Sequence, residues 1–160
     1  MTEEEFTNVY KKYVDKIYIL CFSFMKNKAD AEDCVQETFI KFLKNNDLFD
    51  SDEHLKAWLI VTASNTCKTE LKRKSSKETV DIDDLQLPDN LKKNDNSGII
   101  DSVMKLPPKY KTVIYMFYYE GYKINEISKI LKKKESTIKS LLKRGREILK
   151  SNLKGWESNG

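Results

Sequence analysis

Residues 121–153 read GYKINEISKILKKKESTIKSLLKRGREILKSNL, and this stretch decides the fold. Its apolar residues fall at helical spacing in two blocks, Ile124, Ile127, Ile130 and Leu131, then Ile138, Leu141, Leu142, Ile148 and Leu149. The polar run Lys132 to Glu135 separates them, so the spacing predicts two short helices joined by a tight turn. Ser136 and Thr137 suit a helix start, because a hydroxyl oxygen can accept from an unpaired backbone N–H of the first turn. Gly145 lies seven residues after Ile138 on the same face, where the lack of a side chain lets the second helix approach its neighbours. The opposite face carries Lys139, Lys143, Arg144, Arg146 and Lys150. Two helices, a short turn and a cationic outer face make a helix-turn-helix, whose second helix fits a DNA major groove.

A Lys-rich helix face taken alone is equally the signature of a solvated surface. The distribution of charge favours the other reading. Residues 106–154 hold 13 Lys and Arg against 4 Glu, a net of +9, whereas residues 1–74 hold 12 against 13 acids and residues 75–104 hold 3 against 7. The whole-chain excess of +4 therefore hides a strongly basic C-terminal unit, suited to displacing counterions from a polyanion.

At 160 residues, 39% hydrophobic and 34% charged, the chain suffices for one domain or two small ones. No apolar run approaches the ~20 residues that span a bilayer, and the start, MTEEEF, is acidic where a signal peptide would be basic. A soluble, cytoplasmic chain without membrane insertion is expected. Cys21, Cys34 and Cys67 are odd in number and lie beside apolar residues in helical patterns, as core thiols of a reducing compartment do. His54 has no CxxC or second histidine near it, so no metal site is expected. With no nucleophile beside a histidine and no phosphate-binding glycine loop, the pattern predicts no enzyme, no cofactor and no small-molecule substrate.

Five glycines, three prolines and no sustained period-two alternation predict an all-α chain. Phe6, Tyr10, Tyr13, Ile17, Leu20 and Phe24 form one apolar stripe on a first helix. In NKADAEDCVQETFIKFLKN, Asp30 is placed as the N-cap with Asp33 in the first turn, and Ala31, Val35, Phe39, Phe42 and Leu43 as the buried face. Asp33, Gln36, Glu37, Ile40 and Lys44 share the other face, where Ile40 is either an isolated exposed residue or the centre of a protein-docking strip. The loop Asn45 to Glu53 offers Leu48 and Phe49, which either fold back as lids or meet a partner. A third helix turns Leu55, Trp58, Leu59, Thr62 and Leu71 to the core and ends in the cations Lys68, Lys72, Arg73, Lys74 and Lys77, which also suit a helix C-terminal dipole. From Ser75 periodicity disappears and the charge turns acidic, as in a flexible linker between two domains. Helical pattern resumes at Ile99. A further helix starts at Pro107 or Pro108 and stops at Gly121, with Val113, Ile114, Phe117 and Tyr118 packing on the helix-turn-helix.

The DAEDCVQETFIKFL helix, an AWL followed by Asn65 and a basic tail, the acidic linker, LPPKYK, and a basic helix-turn-helix containing STIKSLLKRGRE stand in one order. Together, over about residues 6–153, they resemble the extracytoplasmic-function class of bacterial sigma factors. The resemblance implies a sigma region 2-like domain over 1–74, a linker over 75–98 and a region 4-like domain over 99–160. It implies core RNA polymerase as partner, through its beta-prime clamp and beta flap, promoter DNA, and an anti-sigma factor. Asp33, Gln36, Glu37 and Ile40 match the helix that docks on the clamp. Asn46, Asp47, Leu48 and Phe49 match the loop that captures a base flipped from the non-template strand at the −10 element, and Trp58, Asn65, Lys68, Lys72 and Arg73 the helix along that DNA. Ser136, Thr137, Lys139, Ser140, Lys143 and Arg144 match the reader of the −35 element.

Departures from the pattern are specific. The family usually has glycine at Ser136, arginine at Leu141, glycine and a small apolar residue at Lys132 and Lys133, and an acid after the Asn65 position, where Thr69 stands. They imply an unusual promoter set. The alternative reading is a helix-turn-helix regulator that binds duplex sites without polymerase, in which the loop at Leu48 and Phe49 has no role; a helical protein-binding adaptor would leave the +9 unit incidental.

Overall fold

The computed structural model describes residues 1–75 and 102–157, with side chains described through residue 151. The chain divides into two compact units at Pro88/Asp89, and each is described by itself. Among the described residues every regular element is helical. The expected linker, apart from Ser75, lies outside them, as do Lys77 and Ile99.

The first unit holds α1 (Glu3–Met25), α2 (Lys28–Lys44) and α3 (Asp52–Ser75). A capping box starts α1: Thr2 Oγ1 accepts from Glu5 N–H at 3.1 Å, and Thr2 N–H donates to Glu5 at 3.0 Å. Lys26, in the left-handed region at φ 66°, stops it. Tyr13, Ile17, Leu20 and Phe24 are core as the stripe predicts, but Phe6 is half-buried and Tyr10 is 40% exposed. Tyr10 lays the body of its ring against Phe39 (centroids 4.9 Å) and keeps a face in water, as an amphipathic ring does.

The N-cap of α2 is Asn27, not Asp30: its side chain accepts from Asp30 N–H at 2.8 Å. Asp30 falls inside the first turn and Asp33 in the second, because Asn27 offers an acceptor one turn earlier. Ala31, Cys34, Val35, Thr38, Phe39 and Phe42 are buried. Leu43, expected in the core, is 55% exposed, since one further helical step past Phe42 turns it outward. On α3, Leu55, Ala57, Leu59, Ile60, Ala63, Ser64, Thr66 and Cys67 are buried, while Trp58, Thr62 and Leu71 are half-buried. This helix packs on both α1 and α2, and its Ala and Ser positions let both approach. The three cysteines are buried free thiols. A hydrogen bond with Cys67, then burial, push the Cys34 thiol far above its ordinary range.

In the second unit, α4 (Pro108–Ile114) runs on into a π-helical turn (Tyr115–Tyr119), followed by α5 (Ile124–Leu131) and α6 (Glu135–Glu157). Pro107 is the N-cap of α4 and Pro108 its first residue. Residues 110–116 are all buried, so α4 is the centre of this unit. Even Lys111 is enclosed, its Nζ donating to the Met104 carbonyl at 3.1 Å. Val113 and Ile114 face the core and Phe117 is half-buried, but Tyr118 is 52% exposed. The π turn, in which Glu120 N–H reaches the Tyr115 carbonyl five residues back, inserts an extra residue and rotates Tyr118 off the Ile114 face. Gly121 ends the segment at φ 76°.

The helix-turn-helix follows. Ile127 is the buried residue of α5, and Lys132 closes the helix in the left-handed region at φ 56°. The next helix starts at Glu135, so Ser136 and Thr137 lie in its first turn rather than at its cap. Ile138, Leu142 and Gly145 are buried; Leu141, Ile148 and Leu149 are half-buried. A Cβ on Gly145 would stand 2.9 Å from both Cγ1 and Cδ1 of Ile114, so the missing side chain is what lets α6 rest on α4.

Candidate nucleic-acid interface

The outer face of α6 is built by rotation. With Ile138, Leu142 and Gly145 held inward, Ser136, Thr137, Lys139, Ser140, Lys143 and Arg144 are turned to solvent, and Arg146 and Lys150 extend the same surface. Among the described residues, none of these cations is ion-paired with a carboxylate. Leu141 lies half-buried at the edge of this face.

In the first unit the loop between α2 and α3 divides its two apolar residues. Leu48 is 91% exposed, with Asn46 and Asp47 exposed beside it. Phe49 turns back as a lid onto Trp58 (5.7 Å), Phe42 (6.2 Å) and His54 (5.3 Å). The loop backbone is held by His54, whose Nδ1 accepts from Asp50 N–H at 3.2 Å and whose own N–H donates to Ser51 Oγ. The outcome is a projecting aliphatic tip on an aromatic base, an arrangement able to contact an unstacked base.

Trp58, Asn65, Lys68 and Lys72 share one face of α3, at steps of seven, three and four. Trp58 and Lys68 are half-buried there, and Asn65 and Lys72 exposed. The cationic end is less available than the sequence suggests. Arg73 is pinned by Glu70, with contacts of 3.1 and 3.2 Å from Nε, and Lys74 is hydrogen-bonded to Asp30. Burial alone would raise the Asp30 carboxyl. Hydrogen bonds from Lys74 and Asn27 and the charges of Lys74 and Arg73 outweigh it and hold the group below its ordinary value. The hydrogen bond from Arg73 does the same for Glu70.

On α2, Asp33, Gln36, Glu37 and Ile40 all lie exposed, with Ile40 49% exposed and Glu37 3.7 Å from Lys41. Leu43 extends the strip by one turn, so two aliphatic side chains, not one, are open to a partner. Sequence reasoning missed Leu43, and it missed the roles of Asp30, Glu70 and His54. Only the three-residue step from Ile40 to Leu43 carried a signal for the first; the others depend on contacts distant in sequence or on loop geometry. Among the described residues no cluster of His, Cys, Asp and Glu could hold a metal ion, and no helix is long and apolar enough to cross a membrane.

Two family profiles match, Sigma-70 region 2 over residues 9–77 and Sigma-70 region 4 over residues 98–149. The ECF RNA polymerase sigma factor SigW of Bacillus subtilis is 30% identical to the chain over 169 aligned positions, covering 95% of this chain and 90% of SigW. The chain belongs to the extracytoplasmic-function sigma factors. The sigma factor SigV of the same organism is 31% identical, with 85% of this chain and 83% of SigV covered. The fold of this sigma factor is shared with RpoE of Bartonella quintana, solved in complex with the anti-sigma factor NepR, at 21% identity and a TM-score of 0.74 over 94% of this chain and 98% of that one. The region 2 match takes in α2, the Leu48 loop and α3, and the region 4 match takes in α4, α5 and the start of α6 through residue 149. As a member of this family, the chain is a promoter-specific initiation factor of RNA polymerase.

Proposed function

We propose that two units, residues 1–74 and 99–160, joined by a linker over 75–98, divide that task. In the first, Asp33, Gln36, Glu37 and Ile40, joined by Leu43, dock on the beta-prime clamp. Leu48 meets the base extruded at the −10 element over a floor of Phe49 and Trp58, and Asn65, Lys68, Lys72 and Arg73 follow the strand backbone. Unstacking a base costs a few kcal/mol, which stacking and phosphate contacts on this face offset. In the second unit α6 enters the major groove of the −35 element with Ser136, Thr137, Lys139, Ser140, Lys143 and Arg144 toward the DNA, and the unit engages the beta flap. The protein works in the cytoplasm, carries out no chemistry of its own, and is restrained by an anti-sigma factor.

The observation that carries this reading is the set of exposed cations on α6 with no carboxylate partner among the described residues, opposite a face closed by Gly145 on Ile114. Run-off transcription tests it, on fragmented bacterial genomic DNA with core polymerase, with and without the protein. Discrete new starts preceded by a shared pair of sequence elements are expected. Binding of the fragments by the chain alone, without new starts, would instead support a regulator that acts without polymerase.

A further inference from the structure

The turn between α5 and α6 carries three consecutive lysines, Lys132, Lys133 and Lys134, all exposed. They lie outside the reading face of α6. Their backbone is fixed from both sides. Ser128 clamps the turn: its carbonyl accepts from Lys133 N–H at 3.1 Å, and its Oγ donates to the Lys133 carbonyl at 2.5 Å. Ile138 N–H donates to the Lys134 carbonyl at 3.1 Å, tying the turn to the first turn of α6. Lys132 stands in the left-handed region at φ 56°, a conformation that glycine adopts at lower cost than lysine. Among the described residues none of the three is paired with a carboxylate. The adjoining Glu135 is exposed and forms no ion pair with them among the described residues.

The geometry of insertion gives these side chains a target. A helix is about 10–12 Å across with its side chains, and the major groove is about 12 Å wide. A helix lying in the groove therefore fills its width, and the turn that leads out of its N-terminal end crosses toward the phosphate wall rather than the base edges. Lysine is a point charge without a fork for base recognition, which suits that wall. We infer that Lys133 and Lys134, with Lys132, form a sequence-independent phosphate clamp on duplex DNA at the mouth of the groove. This inference rests on the reading of α6 as the groove-inserting helix.

The test compares reconstituted holoenzymes, wild type and K133Q/K134Q, on a duplex carrying the promoter found by transcription mapping and on a scrambled duplex, across a salt series. A K105Q/K109Q holoenzyme, changed by the same charge elsewhere in this unit, is the control. Removing two lysine–phosphate interactions should reduce the log–log salt slope by about 1.8. Between 50 and 200 mM salt, the wild-type affinity should then fall about 12-fold further than that of the variant. The change in slope should be equal on both duplexes and absent from the control. An unchanged slope with promoter binding intact would overturn the clamp alone. A wild type that does not distinguish promoter from scrambled duplex would overturn the reading of α6, and the clamp with it. Equal slope changes in both variants would overturn the clamp in favour of bulk charge.

Discussion

The close approach of α6 to α4 at Gly145 makes an unusual demand: adding one methyl group to a helix should weaken the protein. Gly to Ala in a helix interior ordinarily gains about 1 kcal/mol from propensity. Here the new Cβ would stand 2.9 Å from Cγ1 and Cδ1 of Ile114 and 3.6 Å from Tyr110 Cβ. Ile114 and Tyr110 are themselves buried, so the strain is not relieved by swinging a side chain into water. Overpacking of this kind costs about 1–3 kcal/mol, which leaves G145A destabilised by roughly 0–2 kcal/mol after the propensity gain. The decisive comparison is a double-mutant cycle. Ile114→Ala removes the obstructing atoms at a cost of about 2–5 kcal/mol. In that background G145A should become stabilising by about 1 kcal/mol, because only propensity remains. Urea unfolding followed by circular dichroism, with peptide-resolved hydrogen exchange to assign the change to residues 138–149, reads both legs. A G145A effect of the same sign and size in both backgrounds would refute the packing argument.

Other residues give separate tests. Leu48→Ala should leave melting unchanged, since the side chain is exposed, yet reduce open-complex formation several-fold in a permanganate footprint; normal opening would remove Leu48 from the base-capture surface. Ile40→Asp should weaken core polymerase binding by about tenfold, or ~1.4 kcal/mol, in a competition assay against wild type, with Leu43→Asp acting in the same direction. Lys132→Gly should raise stability by up to about 1 kcal/mol, the ~1–2 kcal/mol left-handed strain it relieves being offset in part by glycine's entropic cost of roughly 0.5–1 kcal/mol, which denaturant titration would detect. The pH dependence follows from Asp30. Its folded carboxyl is depressed, so its contribution is fully present above the ordinary aspartate value, about 3.9, and is lost as pH falls through the lower folded value. Wild type should therefore exceed D30N in stability by about 1 kcal/mol at pH 7, with the gap closing below about pH 4. A constant gap down to pH 2 would exclude the ion pair as its source.

Much of the fold is legible in the sequence because amphipathic periodicity is a local signal. Ile127, Ile138, Leu142 and Gly145 mark the helix-turn-helix by spacing alone, and their buried positions follow. The polar strip Asp33, Gln36, Glu37 and Ile40 is legible for the same reason. What escapes is set by neighbours that spacing does not carry. The second and third faces of α3 are buried through Ala57, Ala63 and Ser64, small residues that make no stripe. Tyr118 departs from its expected place because a π turn breaks the 3.6-residue period on which the expectation rests. Lys111 reads as part of the LPPKYK motif and not as core, since burial of its ammonium depends on the Met104 carbonyl. The basic tail of α3 looks uniformly available because Asp30, a partner 44 residues away, cannot be paired with Lys74 from sequence.

The division of labour between the units is tested most directly by site-specific photo-cross-linking in a promoter open complex. A benzophenone amino acid at position 48 or position 140 of the full chain would be assembled with core polymerase on end-labelled DNA. Position 48 should cross-link to the non-template strand at the −10 element, and position 140 to duplex DNA about one major-groove insertion upstream, at the −35 element. Cross-links of position 48 to duplex upstream DNA, or of position 140 to protein alone, would contradict the assignment.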